Sequence, residues 1–210
     1  MLISYADFIH MENIAKTKAL RALRSNGRTL RTSDILALGI HPRTLYELRD
    51  SGEITQITRG VYRLSDDPPA ENIELIAAAM RVPDGVICLI SALSFHRITN
   101  EVPHEVYLAI PKGRQKPKLD YPPLRVFRFE PEAYSSGIEQ HAIDGTKIKI
   151  FSMEKTVADC FKFRNRIGLD VALEALRLCI RNKGSRKKIL EFARVCRVER
   201  VIRPYLEAIQ

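Results

Sequence analysis

The sequence predicts an α+β protein in which a small helix-and-hairpin unit precedes a mixed α/β region. Near both ends of the 210-residue chain, apolar residues recur at three- and four-residue spacing, which indicates amphipathic helices. Short apolar or alternating runs within residues 54–64 and 105–151 indicate strands. Residues 65–69, SDDPP, separate the two parts, because paired prolines and acids interrupt regular structure. We therefore predict one domain over residues 1–67 and a second over residues 68–210.

The first unit is predicted to begin with a helix over residues 8–25 and an extended segment over residues 28–31. A second helix should start at Thr32 or Ser33, because a hydroxyl there can cap free backbone N–H groups. Gly39 then permits the left-handed turn that ends this helix. Three of its residues are expected to face the core: Ile35, Leu36 and Leu38.

A third helix is predicted to start at Pro42, since the missing N–H of proline costs nothing in a first helical turn. Its core-facing residues are Leu45 and Leu48. Residues 54–57 and 61–64 indicate a β-hairpin with Arg59 at its tip. Helix, tight turn, helix and basic-tipped hairpin is the order of a winged helix-turn-helix, and it favours DNA binding over the protein contacts that some winged helices make.

The first turns of the third helix are the predicted base-reading segment. A helix fits the major groove, where side chains reach base edges and arginine is the commonest donor to guanine. Thr32 and Ser33 are expected to bind phosphate at a helix N-terminus, and Arg59 to contact the backbone or the minor groove. The predicted DNA-binding residues are Thr32, Ser33, Pro42, Arg43, Thr44, Tyr46, Glu47, Arg49 and Arg59.

The second region is predicted to be an α/β domain with a small sheet and a helical C-terminal end. Its expected strands are residues 105–110, 124–129, 140–143 and 147–151, the last two joined by a turn at Asp144 and Gly145. Its expected helices are residues 70–81, 91–98, 152–163, 168–182, 185–196 and 200–209, with Pro204 marking a kink or a new start. The apolar run 86–90 fits either a buried strand or part of a buried helix, because periodicity cannot separate them.

Charge is unevenly distributed along the chain, whose net charge is +9. Residues 1–65 carry a net +4, residues 66–154 a net −3 and residues 155–210 a net +8. Such basic ends attract polyanions, although charge runs are also common on solvated helix faces. The predicted basic partner surface near the C-terminus consists of Arg177, Arg181, Lys183, Arg186, Lys187 and Lys188.

The remaining patterns argue against a membrane protein and against an enzyme. No run of about twenty apolar residues and no signal-peptide layout is present, so we expect a cytoplasmic protein without membrane contact. The four cysteines lack ligand spacing and are expected to be reduced core residues. The histidines are scattered without ligand spacing, and the sequence contains no phosphate-binding glycine motif. The sequence therefore indicates no catalytic, metal or cofactor site. Two residue pairs only weakly match catalytic patterns. Ser91 with His96 lacks the geometry of a hydrolase site, and Glu105 with Lys112 matches a nuclease site poorly.

The chain resembles the AbiEi family, the antitoxin half of abortive-infection toxin–antitoxin pairs. The resemblance rests on ITRGVYRL at residues 57–64, SALSFHRITNEVP at 91–103, EVYLAIPKG at 105–113 and IDGTKIKIFSMEKTVADCF at 143–161. These motifs are short, but their order along nearly the whole chain is specific.

The resemblance implies an N-terminal domain that represses its own operon by binding inverted repeats of double-stranded DNA in the promoter, with cooperative self-association on that DNA. It also implies a C-terminal domain that neutralises a toxin resembling a nucleotidyltransferase, without implying a tight toxin–antitoxin complex. Two alternatives stay open at this stage: a stand-alone winged-helix regulator, and a nuclease-like enzyme that uses the wing for targeting.

Overall fold

The computed structural model describes residues 5–209, with side chains described from Ile14 onward. Its helices are α1 (Tyr5–Ser25), α2 (Thr32–Ala37), α3 (Pro42–Asp50), α4 (Ile73–Arg81), α5 (Leu89–Phe95), α6 (Pro131–Ser135), α7 (Met153–Lys162), α8 (Arg164–Ile167), α9 (Leu169–Arg181), α10 (Arg186–Val195) and α11 (Glu199–Ala208). Its strands are β1 (Thr29–Arg31), β2 (Ile54–Thr58), β3 (Val61–Leu64), β4 (Val86–Ile87), β5 (Val106–Pro111), β6 (Leu124–Phe129), β7 (Ile138–Ile143) and β8 (Thr146–Phe151). The predicted α+β class is confirmed.

The N-terminal unit contains three helices and a three-stranded antiparallel sheet in the order β1-β3-β2. Strand β1 pairs with β3 through Leu30 and Tyr62, as the extended segment after the first helix predicted. The unit has its own apolar core, to which α1 contributes Ala19 and Leu23. Helices α2 and α3 contribute three fully buried residues to it: Ile35, Leu45 and Leu48.

Two details of α2 differ from the prediction. Thr32 and Ser33 lie inside the helix, and the backbone N–H of Arg31 donates to the Asp34 carboxylate at 3.1 Å, so the proposed hydroxyl cap is wrong. Leu36 is 39% exposed rather than buried. In a helix of six residues, the side that carries Ile35 faces the core, and Leu36 lies about 100° away from it.

The second sheet has five strands in the order β6-β5-β4-β8-β7. Strand β4 is antiparallel to β5 and parallel to β8, while β5 and β6 are parallel to each other. The apolar run 86–90 divides between β4 and the start of α5, so each alternative was correct for part of it. Gly85 precedes β4 where a Cβ would lie 2.8 Å from Leu108 Cδ1, a contact that only glycine avoids.

The two faces of this sheet carry different layers. One face, with Phe127, Phe129 and Phe151, packs against the C-terminal helices from α7 to α11. The opposite face, with Leu108, Ile148 and Ile150, packs against α4 and against Val61 of β3. The N-terminal unit and the basic C-terminal surface are therefore associated with opposite faces of the five-stranded sheet.

Arg63 of β3 ties the N-terminal unit to the β7–β8 hairpin. Its guanidinium donates to Asp144 Oδ2 at 2.8 Å, to the Pro68 carbonyl at 2.5 Å and to Thr29 Oγ1 at 3.3 Å. Arg28 lies 3.5 Å from the second oxygen of Asp144. These contacts join residues on both sides of residues 65–69. They do not test the predicted division into 1–67 and 68–210, which stays a prediction.

Several smaller differences concern element bounds. Helix α4 begins at Ile73 rather than residue 70, α6 and α8 were not predicted, and α11 continues through Pro204 without a new start. All four cysteines are free and buried, as expected. Along the described residues, no helix combines the length and apolar character needed to cross a bilayer.

Candidate nucleic-acid interface

Helix α3 is held at its start and along its inner side. Pro42 occupies the first helical position, and the Nδ1 atom of His41 accepts a hydrogen bond from the backbone N–H of Arg43 at 3.2 Å. Leu45 and Leu48 are fully buried and fix the rotation of the helix. The capping role of His41 was missed in the sequence, because histidine is not among the usual capping residues.

The outward side of α3 presents paired charges beside an exposed ring. Arg43 Nε donates to Glu47 Oε1 at 2.7 Å, one turn along the helix. Arg49 Nη2 lies 2.8 Å from Asp50 Oδ1, and its guanidinium sits 5.0 Å above the ring of Tyr46. The hydrogen bond to Asp50 raises the pKa of Arg49. Asp50 was absent from the predicted site, and with it α3 carries no net charge.

Thr44 lies on a different side of α3 from Arg43. Its side chain is half-buried and, with His41 and Lys18, lines a groove between α1 and the turn that joins α2 to α3. Neighbouring positions in a helix differ by about 100°. The structure therefore gathers Arg43, Tyr46 and Glu47 on one surface and leaves Thr44 at its edge.

The start of α2 and the tip of the β2–β3 hairpin meet, although they are distant in sequence. The backbone N–H of Thr32 donates to the Gly60 carbonyl at 2.9 Å, and the neighbouring Arg59 is exposed at the tip. Ser33 is exposed, and its hydroxyl lies 3.3 Å from Asp34 Oδ1. The carboxylate of Asp34 places negative charge at this helix start, where the sequence had suggested a phosphate.

The residues considered for catalysis do not converge. Ser91 Oγ accepts from the Tyr107 backbone N–H at 2.9 Å, and the His96 ring contacts the Phe151 carbonyl at 2.8 Å. Glu105 and Lys112 flank opposite ends of β5, roughly 20 Å apart at about 3.3 Å per residue. The nuclease-like pair is therefore not assembled.

The four cysteines are buried and free, and the described residues bring no metal ligands together. Burial raises the pKa of each cysteine, to about 12 for Cys179, which keeps the thiols in their weakly nucleophilic protonated form. Within residues 5–209, no group of three histidine, cysteine or acidic side chains is arranged to hold a metal ion.

The basic C-terminal surface is formed by the end of α9 and the start of α10. Arg177, Arg181, Lys183, Lys187 and Lys188 are exposed, and the described part of the chain offers none of them an ion pair. Arg186 differs, because its guanidinium donates to the Leu206 carbonyl at 2.7 Å and the Ile209 carbonyl at 2.5 Å. Arg186 therefore donates to free backbone carbonyls at the end of α11 and is less available to a partner.

These observations define a class of protein: an α+β chain in which an exposed third helix is anchored beside a short antiparallel hairpin. Residues 18–65 match a family model described as "Transcriptional regulator, AbiEi antitoxin", so the resemblance found in the sequence is confirmed over this stretch. No curated protein matches the sequence.

Among solved structures, the chain resembles the crystal structure of the RV2827C protein from Mycobacterium tuberculosis. The two share 13% sequence identity with a TM-score of 0.55, over 94% of this chain and 82% of the other. At this identity the likeness concerns the fold alone.

Proposed function

We propose that the N-terminal unit is a winged helix-turn-helix that binds double-stranded DNA, with α3 in the major groove. The observation that carries the proposal is the anchored α3, which has Arg43 and Tyr46 exposed and Glu47 partly exposed on one side. The regulator family matched by residues 18–65 supports the same function. Arg59 at the tip of the hairpin, which would be the wing, contacts the DNA backbone in this arrangement.

Arg43 and Glu47 are proposed to read adjacent bases. Arginine donates to the O6 and N7 atoms of guanine, and a glutamate accepts from the N4 amino group of cytosine. Their ion pair holds both side chains over the groove before DNA binds. An ion pair of this spacing on a helix surface contributes only about 0.3–0.5 kcal/mol, so base contacts can replace it.

The wider proposal is a cytoplasmic repressor and antitoxin rather than an enzyme. The DNA would be inverted repeats in its own promoter, with cooperative self-association on them, and residues 68–210 would neutralise a nucleotidyltransferase-like toxin. The family description, which names both a transcriptional regulator and an antitoxin, supports these two roles. A lasting complex with the toxin is not part of the proposal.

Substitution of Arg43 by alanine should separate the two roles. We expect Arg43→Ala to weaken binding to the promoter duplex about 10- to 100-fold, because one bidentate base contact is worth about 1–3 kcal/mol. In cells that express the neighbouring toxin gene, the same variant should still restore growth. Gel shifts and growth curves measure the two effects on the full chain.

Arg200→Ala is the matched control, since it removes an exposed arginine from α11 on the far side of the second sheet. It should leave both readouts unchanged. Equal promoter affinity for Arg43→Ala and the unsubstituted protein would remove α3 from the proposed interface. Loss of rescue by a stably folded Arg43→Ala would show that repression and neutralisation share this surface.

A further inference from the structure

The recognition helix of the proposed winged helix-turn-helix lacks the charge that DNA binding needs. Two arginines on α3 are balanced by Glu47 and Asp50, and both arginines already form ion pairs. Proteins gain most of their nonspecific affinity for DNA from cations that neutralise phosphates. Cations outside α3 must therefore supply this part of the binding energy.

A basic groove of about 400 Å³ lies in the second region, beside the loop that follows β5. Four cations line it: Arg81, Arg114, Lys116 and Lys118. Asp84 is the one acidic side chain among the described lining residues, and it is paired with Arg114 at 2.8 Å. The groove is thus positive although residues 66–154 as a whole carry a net −3.

Two more cations lie against the groove. Lys149 Nζ donates to the Pro83 carbonyl at 3.1 Å, and Arg128 Nε donates to the Arg114 carbonyl at 3.4 Å. Arg81, Lys116 and Lys118 make no ion pair within the described residues. Unpaired cations that face a groove are available to an anionic ligand without first losing a partner.

The groove is continuous with the tip of the β2–β3 hairpin. A Cβ atom added to Gly60 would lie 3.9 Å from Arg81 Nη1 and 3.4 Å from Thr32 Oγ1. Arg81 therefore borders both the hairpin turn, next to the exposed Arg59, and the groove. The hairpin rests on the same side of the five-stranded sheet, where Val61 belongs to the apolar cluster that includes Ile76 of α4.

We propose that this groove binds the phosphates of the DNA backbone beyond the wing, so that one duplex contacts both α3 and the second region. The proposal rests on the proposed function, whose α3 supplies base reading while Arg81, Lys116 and Lys118 supply sequence-independent attraction. Phosphate contacts position a protein on DNA without carrying sequence information. The groove thereby fixes how far along the duplex the protein reaches.

The test is the salt dependence of duplex binding by the full-length Lys116→Ala/Lys118→Ala variant. Each phosphate contact contributes about 0.9 to the slope of log affinity against log salt concentration. We therefore expect the slope to fall by about two and affinity near 0.1 M salt to fall at least tenfold. The loss should be equal for the promoter duplex and for a scrambled duplex of the same length.

The matched control is Arg197→Ala/Arg200→Ala, which removes the same charge near the start of α11, on the opposite face of the sheet and outside the predicted basic partner surface. This control should retain the slope and affinity of the unsubstituted protein. Equal losses in both variants would reflect net charge and would overturn the groove, as would an unchanged slope in Lys116→Ala/Lys118→Ala. If Arg43→Ala weakens binding while the groove variant does not, only the groove proposal fails.

Discussion

Replacing Lys155 by methionine should destabilise the second region by about 3–5 kcal/mol, because it leaves a buried carboxylate without its cation. Lys155 and Asp159 are both fully buried, one turn apart on α7. Lys155 Nζ lies 2.6 Å from each carboxylate oxygen of Asp159 and 4.2 Å from the centre of the Phe151 ring. A loss of this size is a large part of the 5–15 kcal/mol that typically stabilises a domain.

The double variant Lys155→Met/Asp159→Val separates loss of the pair from loss of packing. It removes both charges, so it should recover most of the stability that Lys155→Met loses. Chemical denaturation of the two variants measures the difference. Equal destabilisation of the single and double variants would show that volume, rather than an uncompensated charge, governs this site.

The Lys155→Met defect should also depend on pH. Burial raises the pKa of Asp159, and Lys155 opposes that rise. Without Lys155 the pKa rises further above its unfolded value, so the folded state takes up a proton more readily than the unfolded state does. The free energy of unfolding should therefore increase as pH falls from the folded toward the unfolded pKa of Asp159.

Replacing Arg63 by methionine should cost about 3 kcal/mol, because it leaves Asp144 and the Pro68 carbonyl without their buried charged donor. Arg63 is only 7% exposed and joins β3 to the β7–β8 hairpin. Its loss should also loosen the contact between the N-terminal unit and the second region. Denaturation and limited proteolysis of residues 65–69 measure the two consequences.

Arg28→Ala is the control for this prediction. Arg28 contacts the same carboxylate, but at 3.5 Å and with half its side chain exposed, so solvent screens the interaction. The expected cost is at most about 1 kcal/mol. Similar costs for Arg28→Ala and Arg63→Met would show that burial of Arg63 adds nothing to the interdomain contact.

Strand β3 shows which parts of the fold the sequence could predict and which it could not. The position of the hairpin, its turn and its strand pairing follow from Gly60 and from the two strand-like runs on either side of it, residues 54–57 and 61–64. Alternation would turn Arg63 toward solvent, yet both faces of β3 are covered, one by the N-terminal core and one by the second region. That burial depends on Asp144, 81 residues away, which no local pattern reveals.

The candidate site also has parts that the sequence could predict and parts that it could not. Arg43, Tyr46 and Glu47 follow from helical spacing once Leu45 and Leu48 are taken as the core side. The sequence also shows that Glu47 and Asp50 dilute the positive charge of α3, but the direct ion pair between Arg49 and Asp50 was not predicted. The groove could not be predicted, because Arg81 meets Lys116 and Lys118 only after the sheet forms.

The most direct test of the central claim, that α3 reads DNA, compares two duplexes of equal length at about 0.15 M salt. One carries the upstream sequence of the gene and the other a scrambled version with the same base composition. Because specific sites usually bind at least about 10³-fold tighter than nonspecific DNA, we predict a difference of that order for the full chain. Equal affinity for the two duplexes would contradict base reading by Arg43 and Glu47.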